Sequence, residues 1–226
     1  MWRANAFFAD QSDCVGLLLQ HAHVHYERPG QFGKTTLLEM LGAFVDRFTT
    51  NADFQVLFGG TKAAAIYHPL RQQCHIVRIS LSIDARRPLH EIPELLSAAV
   101  NDGVRSFQVA YPDVHVNVEE NGIRTLSSLG IAIAKISARE SSGWKPQYLT
   151  FSPQFSRTLG LSKADVLRAL NEVIPADNEG GLTQTQQNNL FDLMHRLYTG
   201  YMFPGMEDDV DAVFNPALCR AFFYEL

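Results

Sequence analysis

Long apolar runs are missing from this 226-residue chain, and with them any helical membrane span, which needs roughly 18 or more consecutive apolar residues. Cysteine is scarce. Cys14, Cys74 and Cys219 stand far apart with no CxxC pair, which argues against a zinc ribbon or a disulfide framework and predicts three reduced thiols. The apolar start is interrupted by Asp10, Ser12 and Asp13, so it is not a secretory leader. These features together predict an intracellular protein, cytoplasmic or nuclear, without a membrane partner. Charged residues make up 19% and the formal net charge is -5, a balance that gives no basic footprint for nucleic acid. GxSxG, HExxH and paired Cys/His ligand spacings are all absent, which leaves serine-hydrolase and metalloprotease chemistry unsupported. Repeats and low-complexity tracts are missing too.

What is present is a core-forming composition, 46% hydrophobic with 15 phenylalanines. Residues 13–20 have helical character, with Asp13 as a cap. Residues 21–26 alternate, which predicts a short strand with His21, His23 and His25 along one face. No carboxylate or cysteine accompanies that comb as a metal set, so it is read as a solvated or partner-covered strand face. Leu37, Leu38, Leu41, Phe44 and Val45 recur at helical spacing. Residues 51–67 are less regular, and 74–83 alternate cleanly as a second strand ending at Asp84. Helices are predicted over 90–111 and 123–136. Ser162 with Asp165 forms a capping box before 164–173, and a further amphipathic helix covers 184–198.

One segment carries chemistry. Arg28-Pro29-Gly30-Gln31-Phe32-Gly33-Lys34-Thr35-Thr36 lies between the first strand and a helix. Gly33-Lys34-Thr35 fits the second half of the phosphate-loop pattern GxxxxGK[ST], with Arg28 at the first glycine position. In such a loop, backbone N–H groups and a helix N-terminus wrap phosphates. Lys34 supplies a cation, and the Thr35 hydroxyl is placed for Mg²⁺. The expected site is therefore Arg28, Pro29, Gly30, Gln31, Phe32, Gly33, Lys34, Thr35 and Thr36, with Lys34 as the catalytic cation. Asp84, at the end of the second strand, is a candidate second Mg²⁺ ligand beside Thr35, against a plain strand-end role. Glu119, Glu120 and the acidic run 207–211 read as solvated loop, and Arg139 and Arg157 as surface arginines.

The segment from Arg28 to Leu38 resembles the RPRRFGK[ST]LL loop of a family of predicted AAA-ATPase-like proteins, with Gly30 and Gln31 where that pattern has two arginines. Phe8-Ala9-Asp10-Gln11-Ser12 resembles the family's YVDKT lead-in. Leu57-Phe58-Gly59-Gly60 resembles LFxG, and the Leu149–Phe155 and Leu159–Ser162 stretch resembles ITFDPxFxxxxGFT. Tyr198-Thr199-Gly200-Tyr201-Met202-Phe203 and Phe214-Asn215-Pro216 resemble YNGYRF and YNP. The family's strand ending in IDEYD, its Walker B segment, has no counterpart here, since residues 141–145 join the neighbouring blocks directly.

The resemblance implies a P-loop NTPase-like α/β fold, a mostly parallel sheet with flanking helices, followed by a small helical region. The core is expected over residues 1–148, incomplete near 141–145, and the helical region of the same module over 149–226. The implied activity is ATP binding with Mg²⁺, and hydrolysis is expected to be impaired without the Walker B acids. A nucleotide is the expected partner, with a protein partner or a homo-oligomer also open. The alternative reading is a non-catalytic interaction module, or a truncated gene product, with a vestigial phosphate loop.

Overall fold

The computed structural model describes residues 9–81, 88–136, 147–173, 182–207 and 212–225. The chain divides into two compact units, Met1–Gln72 with Lys145–Leu226, and Gln73–Trp144.

In the first unit, helix α1 (Cys14–Leu18) buries Cys14, Val15 and Leu18. A short strand, β1 (Val24–His25), runs into the candidate phosphate loop. Helix α2 (Lys34–Val45) follows and buries Leu37, Phe44 and Val45. Helix α3 (Asn51–Phe58) starts in a capping box between Thr50 and Asp53 and occupies a stretch whose sequence reads as irregular. It is short, and what holds it is tertiary. Phe54 and Phe58 pack on Phe44 of α2 with ring centroids 5.7 and 5.9 Å away, and the Arg71 guanidinium covers Phe54 at 3.6 Å.

The C-terminal part of this unit carries three α-helices. Helix α6 (Lys163–Val173) begins in the predicted box, where Ser162 and Asp165 exchange side chain-to-backbone bonds. Helix α7 (Gln184–Leu197) begins in a second box, Thr183 with Gln186. Helix α8 (Pro216–Tyr224) has Asn215 as its cap and proline in its first turn. Leu170, Phe191, Met194, Phe214 and Phe222 close a common core among these three helices.

The second unit pairs helix α4 (Ile92–Ala110) with helix α5 (Gly122–Ile136). Val104, Phe107, Tyr111, Val114, Val116 and Leu129 form its core. A buried polar tie joins the two helices: the Thr125 hydroxyl donates to Asn101 Oδ1 at 2.7 Å, and Asn101 Nδ2 donates to the Glu119 carbonyl at 2.7 Å.

The expected mostly parallel sheet is not what the chain builds. Among the described residues there are two strands of two residues each, β1 and β2 (Gln147–Tyr148), paired parallel with Val24 opposite Gln147 and His25 opposite Tyr148. Helices supply nearly all the regular structure. The alternating segment 74–83 shows why alternation misleads here: residues 75–81 adopt no regular element. Ile79 and Leu81 are 38% and 57% exposed. Alternation specifies a strand only when one face is buried and a neighbouring strand accepts its hydrogen bonds; among the described residues no strand pairs with 75–81, and only Val77 packs on the core of its unit.

Candidate functional site

The predicted phosphate loop is a real turn with a defined shape. Gln31 at φ 63° and Gly33 at φ 90° both sit in the left-handed region, which bends the chain tightly before α2 starts. Glycine suits the second position, and Gln31 carries the steric cost of the first. Lys34 is the first residue of α2, as its sequence position predicts. Its ammonium turns back into the loop and donates to the carbonyls of Arg28 and Pro29, each at 2.7 Å. An ammonium has three donors, so one remains for a ligand.

Around it the backbone donors are free. Among the described residues, the N–H groups of Gln31, Phe32, Gly33, Lys34, Thr35 and Thr36 make no hydrogen bond within the chain, and the first helical bond is Leu37 N–H to the Gly33 carbonyl at 2.9 Å. A row of unspent donors at the positive end of a 12-residue helix, beside a lysine, is a cradle for a multiply charged anion. The residues present therefore fit a phosphate chain.

Arg28 faces inward instead. It is buried, and its guanidinium donates to the carbonyls of Glu27 at 2.9 Å, Thr150 at 3.1 Å and Phe155 at 2.7 Å. Its flat faces meet the rings of Tyr26 at 4.4 Å and Phe203 at 4.0 Å. Burial lowers the pKa of this arginine, and the neighbouring Tyr26 phenol opposes the shift. The Tyr26 hydroxyl bonds Thr158, and burial raises its pKa. The arginine at the first glycine position thus ties the loop to the segment 150–155.

Phe32 is likewise an anchor. Its ring is buried and meets Tyr201 edge-on at 4.9 Å and Phe203 at 6.3 Å. Gly30 and Gln31 are exposed, as is Thr35, while Thr36 is half-buried. Asp84 lies outside the described residues, as do Arg139 and residues 141–145. Glu119 is exposed in the second unit, within 3.7 Å of Arg124. The three histidines do not form a metal comb: His25 Nε2 pairs with Glu27 at 2.9 Å and its ring lies on Tyr148. Among the described residues no three His, Cys, Asp or Glu side chains converge as a ligand set.

Sequence reasoning did not assign Asn215 to the site. Its amide oxygen caps α8 by accepting from the Ala217 N–H at 3.0 Å, and its amide nitrogen donates to the Gly30 carbonyl at 3.1 Å. One side chain therefore joins the loop to a helix 185 residues away in sequence. The Asn-Pro pair signals a helix start, and nothing in it signals the loop. Asn215→Ser keeps a cap acceptor and loses the amide nitrogen that reaches Gly30, so it should cost about 1 kcal/mol, whereas Asn215→Ala loses both and should cost about 2. Urea unfolding of both variants checks this: equal losses would show that the cap contributes nothing, and a serine variant as stable as wild type would show that the bond to Gly30 contributes nothing.

On the other side of the loop lies a cavity of about 640 Å³, within the usual range for small-ligand sites. Phe32, Leu37, Met40, Leu159 and Phe223 give it an apolar wall, and Gln11, Thr36 and Arg220 are polar points in its lining. Cys14 also borders it; burial, reinforced by nearby Asp13, pushes that thiol up to about 12, so it stays protonated at neutral pH.

Among the described residues no helix is long and apolar enough to cross a membrane. Neither curated proteins nor solved structures provide a match to this chain. The blocks at 149–162, 198–203 and 214–216 lie beyond the stretch matched by a family profile. That profile, described as predicted AAA-ATPase, covers residues 1–144, well over half the chain and all of the loop 28–36, and the protein belongs to this AAA-ATPase-like family.

Proposed function

We propose that the chain binds a nucleoside triphosphate, ATP by family, through the loop 28–36. The observation that carries this reading is the pairing of Lys34, held by two loop carbonyls with a donor to spare, with the unspent N–H groups of residues 31–36. Lys34 and these backbone groups hold the phosphates. Phe32 and Arg28 support the reading as anchors that keep the loop in shape. The exposed Thr35 hydroxyl is assigned to Mg²⁺, which would neutralise phosphate charge when bound. Asp84 stays a proposed second ligand from sequence alone.

Hydrolysis is proposed to be weak. It needs a carboxylate that holds the metal shell and positions water, and no acidic pair of that kind is recognisable in the sequence. Titration calorimetry with Mg²⁺ and ATP tests the binding step. Wild-type protein should bind in the micromolar range, about -8 kcal/mol. Lys34→Ala should weaken binding at least tenfold, since it removes a charged hydrogen bond of about 1.5–3 kcal/mol. A folded wild type that binds neither ATP nor inorganic tripolyphosphate would reject the reading in favour of an interaction module with a vestigial loop.

A further inference from the structure

A second cleft, of about 440 Å³, borders the loop and shares no lining residue with the apolar cavity. Lys34 stands in its wall together with Arg28 and Pro29, whose carbonyls hold the Lys34 ammonium. In a phosphate loop this lysine meets the terminal phosphates of the chain rather than the first one. On the phosphate-loop reading, the end of the ligand that can react therefore lies at this cleft.

Glu27 is the one carboxylate among the described lining residues. It follows β1, and three contacts fix its position. Its N–H donates to Thr150 Oγ1 at 2.8 Å, and two residues earlier the His25 carbonyl accepts from the Leu149 N–H at 2.9 Å. An ionised carboxylate only accepts, so the His25 Nε2–H donates to Glu27 Oε1, at 2.9 Å. The His25 ring in turn lies on Tyr148, 4.9 Å between centroids. Glu27 Oε2 has no partner among the described residues, and Glu27 makes no ion pair with Lys34. A cation and a carboxylate thus line one cleft without neutralising each other.

We propose that Glu27 is the catalytic base of this chain's hydrolysis, accepting a proton from the water that attacks the terminal phosphorus of the bound triphosphate. The water oxygen bonds to that phosphorus, and the bond from phosphorus to the bridging oxygen breaks, its electron pair leaving with the diphosphate. The water's proton passes to Glu27 Oε2 and from there to solvent, to which this side chain is exposed. The proposal rests on the phosphate-loop reading and assigns within it one of the two carboxylate tasks that hydrolysis needs. Glu27 serves the water and not the metal shell, which agrees with slow turnover. It stands at the end of the strand that leads into the loop, so the role belongs to this chain's own residue and not to a Walker B strand.

Phosphate release from ATP with Mg²⁺, measured beside titration calorimetry, compares wild type, Lys34→Ala and Glu27→Gln. Wild-type protein should release phosphate slowly but above the Lys34→Ala background. Glu27→Gln keeps the shape and an oxygen for His25 and removes the charge. It should lower kcat about tenfold or more, since a positioned general base contributes roughly 10²–10⁴-fold. Its ATP affinity should equal that of wild type or exceed it, because a negative charge beside the phosphates is gone. Retained affinity also shows that the variant is folded with a working loop. Wild-type turnover in Glu27→Gln, or loss of ATP binding together with turnover, overturns the role of Glu27. A wild type that binds ATP and releases no phosphate above the Lys34→Ala background overturns it as well, while leaving the phosphate loop standing. A wild type that binds neither ATP nor inorganic tripolyphosphate overturns both.

Discussion

Gly160→Ala should destabilise the protein by roughly 2–5 kcal/mol, the sum of a left-handed backbone penalty and overpacking. Gly160 has φ 98°, and a Cβ there would lie 3.0 Å from Val213 Cβ, 3.1 Å from Phe32 Cε1 and 3.2 Å from the Phe214 carbonyl. None of these neighbours yields easily. Val213 and Phe214 are paired to Tyr201 and Leu161, and the Phe32 ring is wedged against Tyr201. The change therefore strains the backbone and pushes on Phe32, which anchors the loop 28–36. At this chain length a loss of 1 kcal/mol lowers Tm by about 2–4 °C, so a drop of roughly 10 °C is expected. Gly30→Ala is the matching control, since Gly30 has nothing within 4 Å of the added methyl and should stay within about 0.5 kcal/mol. Equal Tm values for the two variants would show that the 160–161 crossing is not packed as described.

Arg28→Ala should cost about 2–3 kcal/mol and lower Tm by roughly 5–10 °C. Two effects oppose each other here. Removing a buried guanidinium recovers its desolvation penalty. It also strips a donor from the Glu27, Thr150 and Phe155 carbonyls and leaves a gap between the Tyr26 and Phe203 rings. The Phe155 carbonyl keeps the Thr158 hydroxyl as a donor, so the loss falls mostly on the other contacts and on the loop's attachment. Arg28→Lys should recover less than half of the loss, because an ammonium cannot match a planar fork held between two rings. Guanidinium chloride unfolding measures both variants. An Arg28→Ala protein as stable as wild type but unable to bind ATP would move Arg28 from anchor to phosphate ligand.

These two residues show what a linear reading misses. Arg28 falls inside a phosphate-loop pattern, so the sequence places it with the ligand. Its carbonyl partners at 150 and 155 are more than 120 residues away, and only folding brings them beneath it. Lys34 is the opposite case, because its partners lie five and six residues back. A loop followed by a helix start is enough to predict where it sits. The capping box of α6 was legible for the same reason, since all of its bonds span three residues. The box of α3 has the same form and went unread, as the apolar spacing after it is too short to mark a helix.

The sheet is where local pattern failed most clearly. Helical hydrogen bonds close within four residues, so period and caps nearly suffice to specify a helix. A strand's bonds close on another strand, and alternation at 74–83 contains no information about whether that neighbour exists.

By itself, then, the sequence determined the locally closed features. These are the helices α2, α4, α5, α6 and α7, the turn that ends at Gly33, and Lys34 at the head of α2. Tertiary structure alone decided that Arg28 anchors the loop, that Asn215 ties Gly30 to α8, and that the Gln11 amide nitrogen bonds the Gly160 carbonyl. Each of those depends on a partner supplied by a distant part of the chain, and a partner's position in space is set by packing, which no spacing along the sequence encodes.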